Sequence, residues 1–114
     1  MLIKEKIKYI TKSWGEEVWY VNDEYYCYKE LIFNPYSSTS MHLHPKKRET
    51  LTCKQGEGVI ETTGKEQLLV VGVSPITVEP GTWHRIKSNK GMIIIEVSTT
   101  HSDDDVERLK DVQE

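Results

Sequence analysis

The chain has 114 residues, with 15 Lys and Arg against 18 Asp and Glu, a formal net charge of −3 at pH 7 and 37% hydrophobic residues. A chain of this length buries about two-thirds of its unfolded surface, enough for one domain over residues 1–114 without disulfide staples. The two signs of charge are interleaved, which argues against nucleic acid as a partner, and no apolar run approaches the ~20 residues of a membrane span.

Charge interrupts the apolar residues of Met1–Lys8 too often for a secretory leader, so a cytoplasmic protein is expected. Residues 1–24 read as an N-terminal strand and arm region. Ile3, Ile7 and Ile10 fit a helical spacing, but Ile3 and Ile7 also share strand parity, and a short edge strand is preferred. Trp14-Gly15-Glu16-Glu17 marks a turn, Val18–Val21 a short strand and Asn22-Asp23 a hairpin connection. Residues 25–99 form the expected core. Tyr25–Phe33 ends at Asn34-Pro35, and strands at Ser38–His44, Thr50–Lys54 and Gly58–Thr63 are separated by Pro45–Arg48 and Gln55–Gly56. Gly64-Lys65-Glu66 closes a hairpin to Gln67–Val71; Ile76–Val78, Trp83–Lys87 and Met92–Thr99 follow, divided by turns at Pro80-Gly81 and Asn89-Lys90-Gly91. Short strands at intervals of roughly eight to twelve residues indicate an all-β sandwich or barrel. At the end, Ser102 and the acids after it have the composition of a helix N-terminus, predicting a short helix over 102–112. Cys27 and Cys53 lack Cys-x-x-Cys spacing and read as reduced core residues.

Ser40–Gly58 carries the chemistry. On an extended strand His42 and His44 point to one side, about 7 Å apart, where two imidazoles can share one ion. Glu49 follows a proline-containing turn, and Gly56 comes seven residues later. A third histidine, His84, closes Glu79-Pro80-Gly81-Thr82-Trp83-His84. These two segments resemble the paired motifs of the cupin superfamily: His-x-His, Glu and Gly in the first, Pro-x-Gly-x-x-His in the second. Tyr36 stands where the first motif opens on glycine, and Ser88 stands where the second has asparagine, with Asn89 beside it.

The resemblance implies a cupin double-stranded β-helix, a jelly-roll barrel, with one divalent metal held by His42, His44, Glu49 and His84. Nitrogen and carboxylate donors suit Mn, Fe, Co, Ni or Zn. Cupins commonly pair through their sheets, and Met92–Thr99 is apolar on nearly both faces, so a homodimer is expected. Lys46, Lys47 and Arg48, on the connection between ligand strands, are candidates for binding a substrate phosphate or carboxylate, against the alternative of a solvated basic turn. Arg85 is a further candidate, although strand parity points it outward.

Trp14-Gly15, Pro80–Ile86, Glu96-Val97 and Asp104-Asp105-Val106-Glu107-Arg108 resemble, more narrowly, the cupin domain of type II mannose-6-phosphate isomerases. That likeness implies aldose–ketose isomerisation of a sugar or sugar phosphate, with Glu49 the first candidate to shuttle the proton and Glu96 the second, or else a structural carboxylate. A non-catalytic module binding a sugar or nucleotide sugar and an Fe(II)-dependent dioxygenase are the alternatives.

Overall fold

A computed structural model describes residues 1–109. It is all-β, with nine strands: β1 Lys8–Lys12, β2 Gly15–Asn22, β3 Cys27–Phe33, β4 His42–Leu43, β5 Glu49–Thr62, β6 Lys65–Val70, β7 Ile76–Val78, β8 Arg85–Ser98 and β9 Glu107–Arg108. Seven of them form one antiparallel sheet in the order β1-β2-β3-β8-β5-β6, with β7 paired to the start of β5, while β4 and β9 form a separate ladder. No helix among the described residues is long and apolar enough to cross a membrane.

β5 and β8 organise the barrel. Each has 14 residues and would run about 45 Å if straight. They stay paired from Glu49↔Ser98 to Glu61↔Arg85, but the register shifts between Cys53 and Gln55 and again between Gly56 and Gly58. At these bulges the strand pair bends, so its two halves serve both faces of the jelly roll. Gly56 adopts φ +78°, and a Cβ there would lie 2.2 Å from the Gly91 carbonyl oxygen. Only glycine lets the two backbones approach so closely.

The expected turns at Gln55–Gly56 and Asn89–Gly91 are therefore bends inside two continuous strands. Gly15–Glu17, expected as part of a turn, opens β2. The helix expected over 102–112 is also corrected. Asp103–Asp105 make a turn closed by the Asp105 N–H on the Ser102 carbonyl at 3.0 Å, and Glu107–Arg108 pair with Leu43 and His42. Residues 110–112 lie outside the described residues. Acids after a serine cap a turn as well as a helix, and ladder pairing decides between them here.

Strand register sorts the interior into two tiers. Leu31, Phe33, Leu51, Cys53, Met92 and Ile94 occupy inward positions at one end, where Trp14 stacks on Phe33 with ring centroids 4.3 Å apart. One step along the same strands, Lys29 lies opposite Glu96, and Glu49 lies opposite Ser98. All four are buried, as are both cysteines, which are free. The apolar tier builds the core; the polar tier floors a cavity.

Candidate metal centre

Three elements meet above the polar tier. β4 brings His42, its extension brings His44, and the residue preceding β8 brings His84. His42 and His84 are bridge partners that exchange both backbone hydrogen bonds, at 2.9 and 2.8 Å, so their side chains share one face. Ligand atoms of His42, His44 and His84 all lie within 4.8 Å of one another.

Each ring is oriented by a backbone carbonyl. Nδ1 of His42 bonds Ser40 at 2.7 Å, that of His44 bonds Asp105 at 2.7 Å and that of His84 bonds Thr82 at 2.8 Å. A carbonyl only accepts, so every Nδ1 carries its hydrogen, and in the neutral ring Nε2 has the free lone pair. That is the tautomer in which a histidine binds a metal. Burial, the largest influence on both, pushes His42 down to about 4 and lowers His44, keeping both neutral near pH 7.

Glu49, at the start of β5, is 4% exposed. Its Oε1 lies 3.0 Å from His84 Nε2, while its Oε2 is 3.2 Å from Lys47 Nζ and 3.9 Å from His44 Nε2. Burial opposes ionisation, yet the His84 hydrogen bond and the Lys47 charge hold the Glu49 carboxyl well below the usual range. Burial likewise opposes a charged His84, but Glu49 outweighs it and raises His84. A carboxylate oxygen and a ring nitrogen this close require a positive species between them, a proton or a metal. The donor set thus fits a divalent ion bound by His42, His44, His84 and Glu49.

The C-terminal segment secures this arrangement. The Asp105 carboxylate accepts the backbone N–H groups of Lys46 at 2.8 Å and Lys47 at 2.9 Å, and its own carbonyl receives His44. Sequence reading assigned Asp105 to a helix start. The acidic run was visible, but its docking onto the His44–Lys47 turn depends on the β4–β9 ladder.

An RmlC-like cupin from Shewanella frigidimarina superposes with a TM-score of 0.76 and 16% identity, over 91% of this chain and 93% of its own. The fold is that of a cupin. No protein-family model matches the chain. The D-lyxose/D-mannose isomerase of Thermosediminibacter oceani is 28% identical over 118 residues, 81% of this chain and 65% of that protein. The D-lyxose ketol-isomerase of Cohnella laeviribosi is 28% identical over 114 residues, 76% of this chain and 63% of that protein. The chain therefore spans just under two-thirds of the length of the curated relatives it matches.

The three cations expected at the cavity mouth part company. Lys46 and Arg48 are exposed, and Arg48 pairs with Glu79 on the surface. Lys47 turns inward, 4% exposed, and its Nζ lies 3.1 Å from Glu96 Oε2 as well as 3.2 Å from Glu49. Burial works against its charge, but the two carboxylates raise it well above the ordinary lysine range. Arg85 points away from the centre and pairs with Glu61 at 2.8 Å. Glu96 is 4% exposed and joins His42, His44, Glu49 and Lys47 in lining a cavity of about 270 Å³. Glu17, Lys29, His101 and Arg108, which sequence reading left without a role, line it too. The parity of Glu17, Lys29 and Arg108 on β2, β3 and β9 was readable only once the strand register was known, and His101 lies on no strand.

Proposed function

We propose that this cupin is a metal-dependent aldose–ketose isomerase acting on a sugar or sugar phosphate. The observation that carries the reading is a carboxylate with one oxygen free in the cavity of a histidine triad whose Nδ1 atoms are all tied to backbone carbonyls, leaving Nε2 for a metal. Glu96 Oε2 is engaged by Lys47, whereas Glu96 Oε1 has no hydrogen-bond partner among the described residues. No buried side-chain oxygen among the described residues lacks a partner, so Oε1 opens into the cavity. The similarity to a D-lyxose/D-mannose isomerase and a D-lyxose ketol-isomerase supports the same reading.

Isomerisation moves a proton between neighbouring carbons through an enediol and shifts hydrogen between their oxygens. Glu96, with a free oxygen, is better placed than Glu49 to take and return the carbon-bound proton, because both oxygens of Glu49 are occupied. Lys47 lies between the two carboxylates and holds them in fixed positions. A bound divalent ion would polarise the sugar carbonyl and the adjacent hydroxyl, acidifying the carbon-bound proton. The cavity, at about 270 Å³, is near the lower end of the ~300–1,000 Å³ usual for ligand sites and suits a monosaccharide.

The test is elemental analysis followed by incubation with D-lyxose, D-mannose and mannose 6-phosphate in D₂O. About one transition metal per chain, ketose formation, deuterium at C1 of the ketose and deuterium at C2 of the recovered aldose are expected. Ligand-induced thermal stabilisation with no exchange into any of these sugars would instead identify a binding module.

A further inference from the structure

We infer that Glu17, locked in place by the buried Lys29, reads a hydroxyl of the ligand on the β2–β3 wall of the cavity, away from the atoms that react. The inference rests on the proposed action on sugars and adds a residue that selects among them.

Lys29 is 2% exposed and faces inward from β3. Removing an ammonium group from water costs several kcal/mol unless good partners replace the solvent. Its partners are Glu17 Oε1 at 3.2 Å, the Trp19 ring at 4.4 Å from the centroid and His101 Nδ1 at 3.4 Å. Glu17 Oε1 also accepts the Trp19 indole N–H at 2.7 Å. One carboxylate oxygen is thus held from two directions. The other, Oε2, has no hydrogen-bond partner among the described residues; the Lys12 Nζ with which it pairs is 4.0 Å away, beyond hydrogen-bond distance.

Because no buried side-chain oxygen among the described residues is unpartnered, Glu17 Oε2 reaches the cavity that Glu17 lines. Burial opposes its ionisation, but Lys29 and Trp19 prevail and lower the carboxyl below its ordinary value. Near neutral pH it therefore accepts hydrogen bonds and donates none. A fixed acceptor of this kind favours an O–H group and repels phosphate or carboxylate at the same position. Trp14, Leu31 and Ile86 line the same cavity and offer apolar surface to C–H groups. Hydroxyl acceptor and apolar wall together match a sugar ring or polyol chain. Among the described residues the side chains that hold Glu17 are Lys12, Trp19 and Lys29, none of them a candidate metal ligand, so its role is separable from the candidate metal centre.

The experiment uses the metal-loaded full chain and calorimetric titration with D-mannitol and its monodeoxy derivatives, which cannot isomerise. A hydrogen bond to a charged acceptor predicts that one deoxy position weakens binding to the native protein by about ten- to a hundredfold. Glu17→Gln should bind D-mannitol more weakly by a similar factor and lose the discrimination at that position, with metal content unchanged. Should Glu17→Gln fail to fold because Lys29 is left unpaired, Glu17→Gln/Lys29→Met removes both charges together and should show the same loss. Discrimination preserved in a folded variant, or no deoxy position that matters in the native protein, would overturn the inference. Glu17-dependent discrimination without turnover of any aldose would sink the isomerase reading alone; turnover with KM unmoved by the variants would sink the Glu17 assignment alone.

Discussion

His84 Nε2 lies 3.0 Å from Glu49 Oε1, and the other nitrogen of the same ring donates to the Thr82 carbonyl at 2.8 Å. Without a metal this geometry requires His84 to carry both protons. A divalent ion that takes Nε2 must displace one of them. Metal titration near pH 7 in buffers of different ionisation enthalpy should therefore show release of about one proton per ion. Release should fall in Glu49→Gln, where the partner that raises His84 is neutral. Equal release from both proteins would contradict the pairing.

His84→Ala removes a candidate metal ligand that is also the bridge partner of His42. We expect metal affinity to fall by at least about a hundredfold and the proposed isomerase activity to disappear with it. A folded His84→Ala protein with full metal content would show that the ion resides elsewhere.

Asp105→Ala strips two backbone N–H groups of their acceptor behind the candidate metal centre. Unfolding free energy should drop by about 1–3 kcal/mol, because buried donors are left unpaired. Looser support of the His44–Lys47 turn should also weaken metal binding by about ten- to a hundredfold, as loss of an outer partner typically does. Chemical denaturation and metal competition measure the two effects separately.

His42 titrates at about 4 in the folded chain against 6.5 ordinarily, mainly because of burial. The unfolded chain takes up the proton first as pH falls. The stability contributed by a neutral His42 is thus complete above about 6.5 and is lost as pH drops towards 4. Comparing chelator-treated native protein with His42→Gln should show the native protein losing about 3 kcal/mol more across that window. Parallel pH profiles would exclude a buried, neutral His42.

Gly56→Ala places a Cβ 2.2 Å from the Gly91 carbonyl oxygen at a backbone φ of +78°. The bend of β5 cannot relax without moving β8, and destabilisation of about 3 kcal/mol or more is expected in thermal or denaturant unfolding.

The histidine triad was legible because strand parity is a local property: His42 and His44 project together, and Thr82, His84 and Ile86 alternate with outward-facing neighbours. Turn chemistry was legible only in part. Gln55-Gly56 and Asn89-Lys90-Gly91 have the composition of hairpin connections, yet Gly56 lies opposite Met92 in the ladder, and the chain bends there without reversing. Lys47 was the hardest residue to place. Its charge suggests solvent, and only the convergence of Glu49 from β5 and Glu96 from β8 makes an inward lysine favourable. The tail had the same difficulty, since its partner lies more than sixty residues away in sequence.

The two-residue ladder of β4 with β9, extended by the Leu109 amide on the Met41 carbonyl at 2.9 Å, joins the first histidine strand to the tail. An ion that binds only the closed arrangement stabilises that ladder by mass action. The Leu109 amide, although it touches no ligand, then becomes a clock for metal occupancy: its hydrogen exchange should slow as the ion is added and quicken again on chelation.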